Sequence, residues 1–267
     1  MRLRITHRLS YHYEPPAAGV ILLLRLTPRN HEGQYVIRWR IDVSAEARLA
    51  GHEDAFGNLT HVFAADGPFA TLDVEVDGEV ETQNTDGVVR GAVERFPPSL
   101  FLRDTCLTRA DAAMREFARS SRPAQDDGIL ADLHMLLQRL HDGMVRDDDP
   151  SAASTTAAAA FARKRGVTQD LAHVFIGTAR SLGVPARYIA GYRSADGAVE
   201  PERGHGWAEA FVPALGWVGF DPAHGVCPTE SYVRVAVGLD ALGAAPTRGT
   251  RYGSGDETLA SAVKVGQ

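Results

Sequence analysis

Three residues in this chain are of the types that together perform acyl transfer: Thr168, His205 and Asp221. A hydroxyl attacks a carbonyl only when a base removes its proton. An imidazole is such a base, and a carboxylate can hold that imidazole in one orientation. Thr168 stands where an apolar helical stretch begins, and unpaired N–H groups at a helix start favour a developing anion. His205 opens the alternating run HGWAEAFVP, and Asp221 closes GWVGFDP. The two runs read as neighbouring antiparallel strands. They can share one face only if the connection between them has an odd number of residues or the ladder carries a bulge. A five-residue loop, Val212 to Gly216, makes Asp221 the diagonal neighbour of His205 at about 7–8 Å between backbones, which the two side chains can bridge. Asp221 would then engage one imidazole nitrogen and leave the other for Thr168. Gln169, Trp207 and Glu209 flank these positions and are the supporting candidates.

The helix that must carry Thr168 runs from about residue 168 to 182. Thr168 is of a preferred N-cap type, and Asp170 puts a negative charge near the positive end of the dipole. Leu171, Ala172, Phe175, Ile176, Ala179 and Leu182 form one apolar stripe, with Gln169, His173, Thr178 and Arg180 elsewhere, so packing on one side is expected. Gly183 and Pro185 stop the helix, and VPARYIAGY follows as a strand. Upstream, Thr108 is expected to cap a helix reaching about Ser120. Asp126 and Asp127 are expected to open a second helix, with a core face of Ile129, Leu133, Leu136, Leu137 and Leu140. Ser154 or Thr155 should cap a third, alanine-rich helix that Gly166 ends. Residues 230–239 alternate as a strand, and TRGTRYG and ETLASAVKV supply further strands to the same unit. The C-terminal part is thus α+β, helices packed on an antiparallel sheet.

Other residues of reactive type read as structural. Cys106 has no neighbouring base, and Cys227 lies in a loop with nothing to lower its pKa. A metal set of Asp170, His173, His205 and His224 has poor ligand spacing, and His134 and His141 are seven residues apart on one helix. His7 and His12 lack acidic or thiol partners. Asp147, Asp148 and Asp149 lack the pattern of a calcium loop and read as a solvated turn. Arg187 and Arg234 read as solvated strand residues. No metal and no cofactor is expected.

The N-terminal third has strand-like runs at about 2–13, 19–27, 35–44, 58–64 and 70–82, parted by turn-forming stretches such as TPRNHEG and HEDAFGN, which suggests a β-sandwich-like domain. Residues 83–107, broken by Pro97-Pro98, read as the crossover. The expected division is 1–90 for the β-rich domain and 91–267 for the α+β core. A composition 44% hydrophobic and 7% aromatic suits a chain with a sizeable core. A net charge of −6 offers no footprint for nucleic acid or an anionic membrane. The N-terminus alternates instead of presenting an apolar signal region, and VILLL at 20–24 is too short to span a bilayer. Two widely spaced cysteines suit a reducing compartment, so a cytoplasmic location is expected.

The ordered segments GVTQDLAHVFIGTARSLGVPARYIAGY, HGWAEAFVPALGWVGFDPA and YVRVAVGLD resemble the bacterial transglutaminase-like superfamily, in particular its cysteine-protease type. The resemblance covers roughly residues 100–265, and the N-terminal part resembles the region that precedes this core. It implies a papain/transglutaminase-like fold and a Cys-His-Asp site, with Thr168 standing where the pattern has Cys. His205 and Asp221 match the His and Asp. HGW stands for HAW, and DPA for DPT. The implied partner is a peptide or protein amide. With Thr168 the chain is expected to lack thiol catalysis. The alternative is an amide hydrolase or transamidase with Thr168 as nucleophile, His205 as base and Asp221 as orienter.

Overall fold

The structure is a computed structural model and describes residues 1–121, 128–147, 154–194 and 204–266. In chain order the strands are β1 (Arg2–Thr27), β2 (Gln34–Val43), β3 (Ala50–Glu53), β4 (Leu59–Thr82), β5 (Val88–Val89), β6 (Val145–Arg146), β7 (Arg165–Gly166), β8 (Ala186–Arg193), β9 (His205–Val212), β10 (Gly216–Phe220), β11 (Tyr232–Gly238), β12 (Thr247–Tyr252) and β13 (Asp256–Gly266). The helices are α1 (Ala112–Ser120), α2 (Ile129–Gly143), α3 (Ala157–Arg163) and α4 (Thr168–Ser181). No described helix is long and apolar enough to cross a membrane.

The N-terminal sheet is built on two long strands. β1 and β4 pair along most of their length with register shifts near Ala17, so runs expected as separate strands at 2–13 and 19–27, and at 58–64 and 70–82, are continuous. β2 and β13 flank one half, and β3 and β12 the other. Both halves bury alternate residues in one apolar cluster, Leu9, Tyr11 and Tyr13 from one and Val20, Leu22, Leu24 and Phe63 from the other, which gives the sandwich-like character. The expected division at residue 90 needs correction here. Residues 247–266 pair with β1, so the C-terminus belongs to the N-terminal sheet.

The core sheet is antiparallel in the order β11-β8-β9-β10-β5. Its edge strand β5 comes from the expected crossover, which also contributes Phe96, Leu100 and Phe101 over Trp207, Trp217 and Tyr232. The other face receives α4. Ala208, Ala210 and Phe220 pack on Leu171, Ala172 and Phe175, with the Phe175 and Phe220 rings stacked 5.0 Å apart. α4 is surrounded. Every residue from Asp170 to Arg180 is buried, which corrects the expectation of a helix packed on one side. His173 and Thr178 find partners inside the core, as does Arg180, which donates to the carbonyls of Phe101, Ala186 and Leu239 and to the Thr108 hydroxyl. An all-round buried helix can carry polar residues when each is hydrogen bonded.

The helix starts also differ from expectation by a residue or more. Asp111 caps α1 through Met114 N–H, and Thr156 caps α3 through Ala159 N–H, while Thr108 serves Arg180. α3 ends at Arg163, before Gly166, with Lys164 in the left-handed region. α2 follows Gly128, and Asp126 and Asp127 lie outside the described residues. Asp147 pairs with Arg165, and Asp148 and Asp149 lie outside the described residues.

Arg187 and Arg234 are not solvated. The Glu209 carboxylate, fully buried, accepts from Arg187 Nε at 2.7 Å and Arg234 Nε at 2.7 Å. Arg187 also forks onto Glu94 at 2.7 and 2.9 Å, and its guanidinium lies 3.7 Å from the centre of the Trp217 ring. The alternation of β8 and β11 was read correctly as strand, but both faces of this sheet are covered. Burial alone would raise the Glu209 pKa; the charges of Arg234 and Arg187 and their hydrogen bonds outweigh it and hold the carboxyl at about 2. Because the folded value is depressed, these pairs stabilise fully above the ordinary Glu value of 4.5, and that contribution is lost as pH falls toward about 2. Glu209→Gln should cost about 3–5 kcal/mol at neutral pH, since two buried guanidinium groups lose their anion. Denaturant titrations from neutral pH down through this window should show a smaller loss of stability in the variant than in the parent.

Candidate active site

β9 and β10 close through Val212↔Gly216, and Phe220 lies opposite Ala208. This register keeps the odd parity that the spacing required. The His205 and Asp221 side chains meet, with Nε2–H of His205 donating to Asp221 Oδ2 at 2.7 Å. His205 is nearly buried and Asp221 completely so. Trp207, two residues on and on the same face, lies nearly parallel to the His205 ring at 6.0 Å between centres, and Tyr232 meets both rings edge-on.

Asp221 is the hub of the site. Its Oδ2 also accepts from His224 Nδ1 at 2.8 Å and from the Tyr232 hydroxyl at 2.7 Å, while Oδ1 accepts from Ala223 N–H at 3.0 Å. Burial by itself would raise this carboxyl; the His205 charge and the hydrogen bonds from His205 and His224 reverse the balance and hold it far below the usual carboxylate range. The Tyr232 hydroxyl is pushed above its ordinary range by burial and by the Asp221 charge, so it remains a donor. Arg146 Nη1 lies 3.0 Å from His224 Nε2. An arginine can only donate, so Nε2 accepts and the His224 proton sits on Nδ1, facing Asp221.

His205 and Asp221 are legible from the sequence; this use of His224, Tyr232 and Arg146 is not. A histidine three residues past Asp221 was a signal, because the turn that returns Gly225 and Val226 N–H to Asp221 O brings residue 224 beneath the carboxylate. The same geometry agrees with setting aside the four-residue metal set of Asp170, His173, His205 and His224. His173 Nε2 accepts from Ala241 N–H, and Asp170 accepts from Val167 N–H, so neither joins His205. Glu209 serves the arginines.

Thr168 begins α4, half-buried, with Gln169 beside it. Val167 is the N-cap residue, and Asp170 reaches back to its N–H at 3.2 Å, so Thr168 is the first helical residue and not the cap. Among the described residues the Thr168 hydroxyl has no hydrogen bond to His205. The structure therefore joins two of the three expected members directly and places the third on the helix packed behind their strand. Cys227 is no substitute. Its Sγ is 3.5 Å from His134 Nε2, but burial and then the Asp86 charge push the thiol up to about 11.

Residues 3–81 match the bacterial transglutaminase-like N-terminal region, and residues 116–222 match the transglutaminase-like superfamily core, a span that contains Thr168, His205 and Asp221. The chain has a transglutaminase-like fold. A Cytophaga hutchinsonii protein provisionally named a cysteine protease superposes over 100% of this chain and 90% of its own, with a TM-score of 0.80 at 18% identity, and so shares the architecture. The Mycobacterium leprae protein ML0607 is 28% identical over 285 residues, covering 99% of this chain and 98% of its own. Mycobacterium tuberculosis Rv2569c is 26% identical over 287 residues, covering 97% and 90%. His224 and Tyr232 lie beyond the matched core.

The glycine of HGW has a local cause in this transglutaminase-like fold. A Cβ at Gly206 would stand 1.8 Å from the Tyr188 hydroxyl, which is buried against β9. Gly206→Ala should therefore destabilise by about 1–3 kcal/mol, the range for overpacking a filled core. The methyl would also stand 2.6 Å from Tyr188 Cζ, so removing the hydroxyl alone does not clear it. Combining Gly206→Ala with Tyr188→Leu, which removes the ring, should cost less in a thermal melt than the sum of the two single changes; an additive double variant would show that the Tyr188 ring is not what excludes the methyl.

Proposed function

We propose that this chain recognises peptide or protein amides in a transglutaminase-type cleft, and that it performs no thiol catalysis as it stands because Thr168 occupies the nucleophile position. The observation that carries the proposal is the intact His205–Asp221 pair, joined at 2.7 Å, in a chain whose helix start offers a hydroxyl. A thiol at a helix start beside an imidazole ionises near neutral pH, because its free pKa of about 8.5 falls by several units there. A threonine hydroxyl gains no comparable ionisation, and its β-methyl restricts χ1. Threonine nucleophiles commonly use an N-terminal amine as base, which an internal residue lacks.

Restoring the sulfur tests this directly. Thr168→Cys should gain amidase or transamidase activity over a broad peptide panel, and alkylation should abolish the gain. No gain in a folded variant would count against a preserved cleft. Turnover by the unaltered chain, with residue 168 labelled by a hydroxyl-directed acylating probe, would instead establish a threonine hydrolase with His205 as base.

A further inference from the structure

We propose that His205, Asp221 and His224 hold a divalent transition-metal ion, with Zn2+ the best match to the donors. This goes beyond amide recognition and departs from the metal-free reading of the sequence. One ligand atom from each residue lies within 4.8 Å of the other two. Two imidazole nitrogens and a carboxylate oxygen are a borderline donor set suited to Zn2+, and three protein ligands leave a fourth position for water. Asp221 Oδ2 already touches His205 Nε2 at 2.7 Å and His224 Nδ1 at 2.8 Å. An ion with bonds of about 2.0–2.2 Å enters once these contacts open by roughly half an ångström. Surrounding groups orient the ligands: Ala223 N–H and the Tyr232 hydroxyl hold the carboxylate, and Trp207 backs the His205 ring.

The proton balance is simple. When neutral, each imidazole moves its proton to the other ring nitrogen, from Nε2 to Nδ1 in His205 and from Nδ1 to Nε2 in His224, and Asp221 stays ionised. Arg146 opposes this change, since its donor faces His224 Nε2 and a proton placed there would meet it. It is a built-in competitor of the metal. An occupied site also withdraws the His205–Asp221 contact that base catalysis uses, so metal and acyl transfer exclude one another.

Titrating the metal-free chain with Zn2+ by calorimetry, with Co2+ as a visible-absorption probe, separates this from the amide reading because it reads binding and not turnover. One Zn2+ per chain with micromolar or tighter affinity is expected. His224→Ala should weaken it by more than about a hundredfold, and Arg146→Ala should tighten it by about tenfold. Cys227→Ser should leave it unchanged, which excludes capture by Cys227 and His134. His224→Cys, which keeps a ligand, should bind Co2+ with a thiolate charge-transfer band and guards against a folding defect in the alanine variant. Absence of binding, binding that survives His224→Ala, loss in Cys227→Ser, or weakening in Arg146→Ala would each overturn the proposal.

Discussion

One buried carboxylate organises the candidate site. Asp221 lies at the end of β10 with no access to water, and an isolated charge there would be very costly. It is tolerated because four donors from four residues converge on it, three of them on a single oxygen. Those donors come from β9, from the turn after β10 and from β11, so the anion ties three segments of the core sheet together. The orientation of His205 follows from that convergence.

A second buried anion does the corresponding job further along the same face. Glu209, two pleats from His205, gathers Arg187 of β8 and Arg234 of β11, and Arg187 continues to Glu94 of the crossover segment. Gln34 of β2 bonds to both the N–H and the carbonyl of Arg234. The N-terminal sheet is thereby fastened to the strand beside the site. The return of β13 to β1, with Val263 in the core cluster, fastens it again. The long N-terminal strands therefore act as scaffold for the core sheet, not merely as a module that precedes it.

What was legible in the sequence was whatever local periodicity or parity could carry. The α+β core, the strand pair 205–212 and 216–220 and the meeting of His205 with Asp221 follow from alternation and an odd connection. The partners of Asp221 did not, because hydrogen bonding by His224 depends on a tight turn and that by Tyr232 on how a distant strand is placed. Arg187 and Arg234 were misread because alternation tells which face a side chain takes, not what covers that face. Strands β12 and β13 were recognised but given to the wrong sheet, since pairing over some 250 residues of separation leaves no local trace. Thr168 lies within one residue of the expected start; it is not the cap because Val167 holds the N-cap position and Thr168 is already the first helical residue, with Asp170 accepting from Val167 N–H.

The central claim is that Asp221 is an ionised acceptor served by two imidazoles with assigned protons. Long-range 1H–15N correlation spectra of the metal-free protein at neutral pH test it most directly, because the ring nitrogens report which of them is protonated. The account predicts His205 protonated at Nε2 and His224 as the neutral form protonated at Nδ1, with its Nε2 accepting from Arg146. A His224 signal from the Nε2–H form, or a His205 ring protonated only at Nδ1, would contradict it.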